Sequence, residues 1–109
     1  MASLLLVLTS SPASPGGQRA LSVAESLAAE GHRVKLLCLQ DAVLLGSDRP
    51  PLEARALLGG LLGRGATLAV LGEDLACRGL ARSELASAVD HAGIVTLLAG
   101  EYDRVIGAF

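Results

Sequence analysis

Ser3-Leu4-Leu5-Leu6-Val7-Leu8-Thr9 is an unbroken apolar run that stops at a cluster of turn residues, Ser10 to Gly17. A run this short, apolar on both sides of the pleat, is the pattern of a strand buried on both faces. Beyond the turn, Ala20, Leu21, Ala24, Leu27 and Ala28 recur at helical spacing, with Arg19, Glu25 and Ser26 left for solvent. Gly31 ends this helix, because glycine accepts the left-handed conformation that follows a last helical turn. Val34-Lys35-Leu36-Leu37-Cys38-Leu39 then supplies a second strand. Strand, helix and strand in this order require a parallel pair joined by a right-handed crossover.

The alternation continues to the end of the chain. Gln40 to Gly46 predicts a loop with one helical turn, and Ser47-Asp48-Arg49-Pro50-Pro51 is surface punctuation, with Pro51 suited to the first turn of the next helix. From Leu52 to Arg64 the stripe Ala54, Leu57, Leu58, Leu61, Leu62 marks a helix whose intrinsic stability Gly59, Gly60 and Gly63 reduce. Those glycines have two readings, a close approach to the sheet or to another subunit, and simple tolerance. Gly65 ends the helix, Ala66 to Leu71 reads as a third strand, and Gly72-Glu73-Asp74 leads into a short helical turn containing Cys77. A brief fourth strand is expected near Ala88-Val89. A helix from Asp90 to about Tyr102 follows, with Ile94, Val95, Leu97 and Leu98 facing inward, and Arg104 to Ala108 makes the last strand. The expected fold is one α/β domain over residues 1–109, a three-layer sandwich in which helices cover both faces of a parallel sheet of about five strands.

A chain of 109 residues has room for one core. Apolar residues make up 51% and charged residues 18%, an excess of apolar surface that implies cover by a partner, either this chain again or homologous subunits. The net charge of -2 and the presence of only two aromatics, Tyr102 and Phe109, argue against direct nucleic-acid binding, which needs cationic surface and stacking platforms. Leu4 to Leu8 is too short for a signal peptide and no basic residue precedes it, and no stretch is long enough to span a bilayer, so a cytoplasmic protein without a membrane partner is expected. In that reducing compartment Cys38 and Cys77, which lack a CxxC spacing, read as free thiols. His32 and His91 share no ligand spacing with them, so neither a metal nor another cofactor is expected.

Ligands of open parallel sheets bind beyond the carboxyl ends of the strands, which selects Thr9–Gln18, Leu39–Ser47 and Gly72–Gly79. In the first segment Ser10, Ser11, Gly16 and Gly17 form a candidate anion site of hydroxyls and backbone N–H groups, or an ordinary helix cap; no nucleotide-binding motif is present. In the second, Asp41 suits a helix cap or an active-site acid. In the third, Cys77 at the start of a helix beside Arg78 would favour the reactive thiolate, with Glu73 and Asp74 opposing it. Cys38, inside a central strand, behaves as a small hydrophobe. His91 is a base or simply a polar first-turn residue, and no nucleophile triad can be assembled by spacing.

Gly31-His32-Arg33-Val34 and Leu39-Gln40-Asp41-Ala42-Val43-Leu44, with Val70-Leu71-Gly72-Glu73-Asp74-Leu75-Ala76-Cys77-Arg78-Gly79-Leu80 and the closing Tyr102-Asp103-Arg104-Val105-Ile106, resemble the DsrE/DsrF/DsrH sulfur-relay family, and its DsrH/TusB branch in particular. The resemblance implies a subunit of symmetric or mixed oligomers, in a family whose members pass persulfide sulfur between donor and acceptor proteins toward tRNA thiolation or sulfur oxidation. It also implies that catalysis is not universal, since the family contains non-catalytic subunits. The sulfur-carrying cysteine of the DsrE/TusD branch falls near Leu71 when counted back from Arg78-Gly79, and this chain has no cysteine there. The leading expectation is a sulfurtransferase-like carrier using Cys77, with Asp41 and Arg78 shaping the site. The alternatives are a structural or regulatory subunit of the same fold and a small anionic-ligand binder.

Overall fold

The structure, a computed structural model, describes residues 2–100 and 102–108. The elements are β1 (Ser3–Leu8), α1 (Pro15–Ala29), β2 (Arg33–Cys38), a 3-10 segment (Gln40–Gly46), α2 (Leu52–Gly63), β3 (Thr67–Leu71), α3 (Gly72–Cys77), β4 (Ser87–Val89), α4 (His91–Leu98) and β5 (Arg104–Ala108). All sheet pairings are parallel and the strand order is β4-β3-β2-β1-β5. The expected α/β sandwich with a five-stranded parallel sheet is therefore the observed fold.

Alternate residues of each strand face opposite layers. Leu4, Leu6 and Leu8 of β1 join Val34, Leu36 and Cys38 of β2 and Leu68 and Val70 of β3 in a core closed by Ala20, Leu21, Ala24 and Ala28 of α1 and Ala54, Leu58 and Leu61 of α2. On the other face Leu5, Val7, Leu37 and Ala69 are fully or almost fully buried, but the cover there is thinner: Ile94 and Leu97 of α4, with Leu39, Val89 and Tyr102, all of them only partly buried. The continuous apolarity of the first strand thus reflects real two-sided burial.

Ser14 caps α1, its Oγ accepting from Gly17 N at 3.1 Å and donating to Ser11 O at 2.6 Å. The helix consequently begins at Pro15 rather than after Gly17, with the two glycines in its first turn. Gly17 is required for packing: a Cβ there would lie 1.9 Å from the carbonyl oxygen of Ser11. The α2 glycines are different. A Cβ on Gly59 or Gly63 would meet nothing within 4 Å, and on Gly60 only the Glu25 carboxylate at 3.5 Å, so close approach to the sheet does not explain them.

The last helix differs most from expectation. Asp90 caps it as foreseen, its carboxylate accepting from Gly93 N at 2.7 Å, but the helix ends at Leu98 and not near Tyr102. The chain turns after the helix, Tyr102 N donating to Gly100 O at 3.0 Å, and Asp103 then reaches the sheet, its N–H donating to Ser3 O at 2.8 Å. Ile94 and Leu97 face inward as expected, whereas Val95 is 66% exposed and Leu98 47% exposed. A helix lying singly on a sheet buries one narrow stripe, and the positions on either side of it turn to solvent.

Candidate functional site

β2 and β3 are neighbours in register, Cys38 opposite Val70, so the residues that follow each strand meet at the carboxyl edge of the sheet. Gln40 takes φ +52°, the one positive φ among the described non-glycine residues, and its N–H donates to Asp74 Oδ2 at 2.7 Å. An uncommon left-handed residue is thereby held in place by a carboxylate from the next strand's helix. Arg78 completes the link. Its Nε and Nη2 donate to Asp41 Oδ1 at 3.3 and 3.2 Å, and its Nη1 donates to the Asp74 carbonyl at 3.2 Å and lies 3.7 Å from Asp74 Oδ1. Asp41 and Arg78, paired from sequence as site residues, are in direct contact; Asp74 and the Gln40 backbone are the members that sequence reasoning left out. The signal that could have found them is the parallel register, which places the first residues after adjacent strands side by side.

A second pair lies on the same edge. His91 Nε2 and Glu73 Oε2 are 2.6 Å apart, with both side chains well exposed, joining the start of α4 to the start of α3.

Cys77 does not open a helix as the sequence reading supposed. It is the last residue of the six-residue α3, so the carbonyl end of the helix lies near it rather than the N–H end. Its side chain is exposed, and the guanidinium of the adjacent Arg78 is engaged by Asp41 and Asp74. Cys38 is buried in β2, and burial pushes its thiol from the ordinary 9.0 up to about 12, because the sheet interior cannot solvate a thiolate. Leu71, near which the resemblance puts the sulfur-carrying cysteine of the DsrE/TusD branch, is the buried last residue of β3.

At the first strand end, the Gly17 N–H that an anion would need is already taken by Ser14 Oγ, and Ser11 Oγ accepts from Ala13 N at 3.2 Å. Ser10 and Gly17 border a space of only about 10 Å³. The Gly16 Cβ position would lie 3.6 Å from Ser10 Oγ. The loop is occupied with capping its own helix. Among the described residues no group of three or more His, Cys, Asp and Glu is arranged to hold a metal ion, and no helix is long and apolar enough to cross a membrane.

An open five-stranded parallel sheet with helices on its faces defines a class of small α/β proteins, and solved structures share this architecture. The ychN protein from E. coli superposes with a TM-score of 0.82 at 17% identity, covering 98% of this chain and 99% of that one. A protein of unknown function from Methanobacterium thermoautotrophicum, MTH1491, gives 0.77 at 16% identity, with 98% and 99% covered. A third, BT1422 from Bacteroides thetaiotaomicron, gives 0.71 at 11% identity, with 97% and 94% covered. At such identities these likenesses establish the fold. Residues 13–104 match the model of the family described as DsrH like protein, and the chain belongs to that family. No curated protein matches the sequence.

Proposed function

We propose that this chain serves an intracellular sulfur relay as a DsrH-type subunit, assembling with copies of itself or with homologous subunits, and that it supports sulfur transfer without holding the sulfur itself. Family membership supports the relay role. The observation that carries the choice of subunit over carrier is the state of the carboxyl edge: the resemblance puts the motif cysteine near Leu71, where this chain has none, and the Arg78 guanidinium is bound to Asp41 and Asp74 instead of facing a thiol. The exposed apolar residues Val95, Leu98 and Val105 supply surface of the kind that subunits cover. The relay's products, in tRNA thiolation or sulfur oxidation, follow from the family resemblance, as does a cytoplasmic setting.

The exposure of Cys77 favours a second reading, in which its thiolate attacks the sulfane sulfur of a donor persulfide. A new S–S bond would form on Cys77, the donor's S–S bond would break, and the donor would leave as a thiolate with no net oxidation. Incubating the reduced protein with a persulfide donor and measuring its intact mass separates the two. The subunit reading expects no stable gain of sulfur. A gain of one sulfur atom that persists in Cys38→Ala and vanishes in Cys77→Ala would establish the carrier reading instead.

A further inference from the structure

The sheet face beneath α4 is finished in two halves. Parallel register puts Ser3 opposite Arg33, Leu5 opposite Lys35, and Lys35 opposite Thr67, so these side chains share the face on which Leu5, Val7, Leu37 and Ala69 pack under α4. The eight-residue helix covers only the apolar carboxyl half. The amino half carries Ser3, Arg33, Lys35 and Thr67, and a cleft of about 530 Å³ runs along it, bordered also by Tyr102 and by Arg64 from the turn after α2.

The charge here runs against that of the whole protein. Three of the nine Lys and Arg residues line this cleft and, among the described residues, no Asp or Glu does, in a chain of net charge -2. Lys35, the only lysine in the sequence, is half-buried in mid-strand, a position that an aliphatic residue would fill more cheaply. Among the described residues Arg33, Lys35 and Arg64 form no ion pair. The nearby carboxylates have other partners: Asp103 accepts from Ser3 N at 2.7 Å, and Glu30 lies 3.6 Å from His32 Nε2. His32 also borders the cleft, its Nδ1 accepting from Ala2 N at 3.1 Å. Helices α1 and α2 end near this edge, and their carbonyl termini favour a cation such as Arg64 on structural grounds alone. That explanation does not extend to Lys35.

We propose that this cleft binds a small phosphate-bearing anion, held by Arg33, Lys35 and Arg64 with the hydroxyls of Ser3, Thr67 and Tyr102 as further donors. Three cations bordering one cleft match a multiply charged phosphate better than a single carboxylate, and guanidinium groups can grip its oxygens two at a time. The space is of small-molecule size, and one tyrosine offers no platform for successive bases. The site lies at the edge of the sheet opposite the sulfur-relay motif and stands independently of that reading.

The test is titration of the full chain with inorganic pyrophosphate at fixed ionic strength, followed by amide NMR and calorimetry. Saturable shifts are expected at the Ser3, Arg33, Lys35, Thr67 and Tyr102 amides, with Lys35→Gln and Arg64→Gln each weakening binding tenfold or more. Arg19→Gln, an exposed charge on α1, should leave binding unchanged, and the exposed Arg33→Gln repeats the test should Lys35→Gln disturb the fold. Absence of saturable shifts at those amides, an equal loss in Arg19→Gln, or shifts confined to the Ser10–Gly17 loop would each overturn the proposal.

Discussion

The two faces of one sheet are built to different standards. The face under α1 and α2 is sealed by two helices of 15 and 12 residues, which with β1 to β3 bury a continuous layer running from Leu4, Leu6 and Leu8 through Leu21, Leu36 and Cys38 to Leu58, Leu61 and Val70. The face under α4 has one helix of eight residues with no buried position, an apolar half and a cationic half. The first face needs nothing further to be stable, whereas the second leaves apolar surface and charge available to other molecules.

The comparison is open to direct attack. Leu6→Ala, at a fully buried site on the sealed face, should cost about 3 kcal/mol in urea unfolding, through lost burial and an unfilled cavity; a loss below that of Ile94→Ala on α4 would reverse the ranking of the two faces. Alkali probes the same layer. The Cys38 thiol stays protonated up to about pH 12 in the folded chain but ionises near its ordinary 9.0 when unfolded. The unfolded state therefore binds fewer protons above pH 9, and stability that is fully present below pH 9 falls, by at most about 1.4 kcal/mol per pH unit, until about pH 12. Cys38→Ala should remove that component of the pH dependence, measured as unfolding free energy against pH.

Smaller effects sharpen the thin face. Asp90→Ala removes the α4 cap and should cost about 1 kcal/mol, with amide exchange rising in α4 before it rises in α1. Val95→Asp, at an exposed position, should change monomer stability by no more than about 0.5 kcal/mol. In sedimentation it should nevertheless lower the oligomeric state if subunits pack on α4; an unchanged assembly would place the interface elsewhere.

The alternation of apolar runs and helical stripes was enough to read the strands and the order of the elements, most directly for β1 to β3, where burial on both faces leaves a local mark; the edge strands β4 and β5 are largely exposed. Cys38 was legible as an inert thiol for the same reason. The candidate site was legible only in part. Asp41 and Arg78 were singled out from the sequence and the structure puts them in contact, yet Asp74, Gln40 and the His91–Glu73 pair were not assembled, since their proximity depends on which strands are neighbours. Cys77 was given the wrong end of its helix because a six-residue helix carries no periodic signal long enough to locate its boundaries.

By itself the sequence determined the parallel α/β fold and the family, properties written in local apolar pattern and short motifs. Only the tertiary structure decided that Val95 and Leu98 face outward, that Arg78 is bound by two carboxylates, and that Arg33, Lys35 and Arg64 share one cleft. Each of these depends on strand order and register, which bring residues distant in the chain together, and no local pattern encodes a distance between segments.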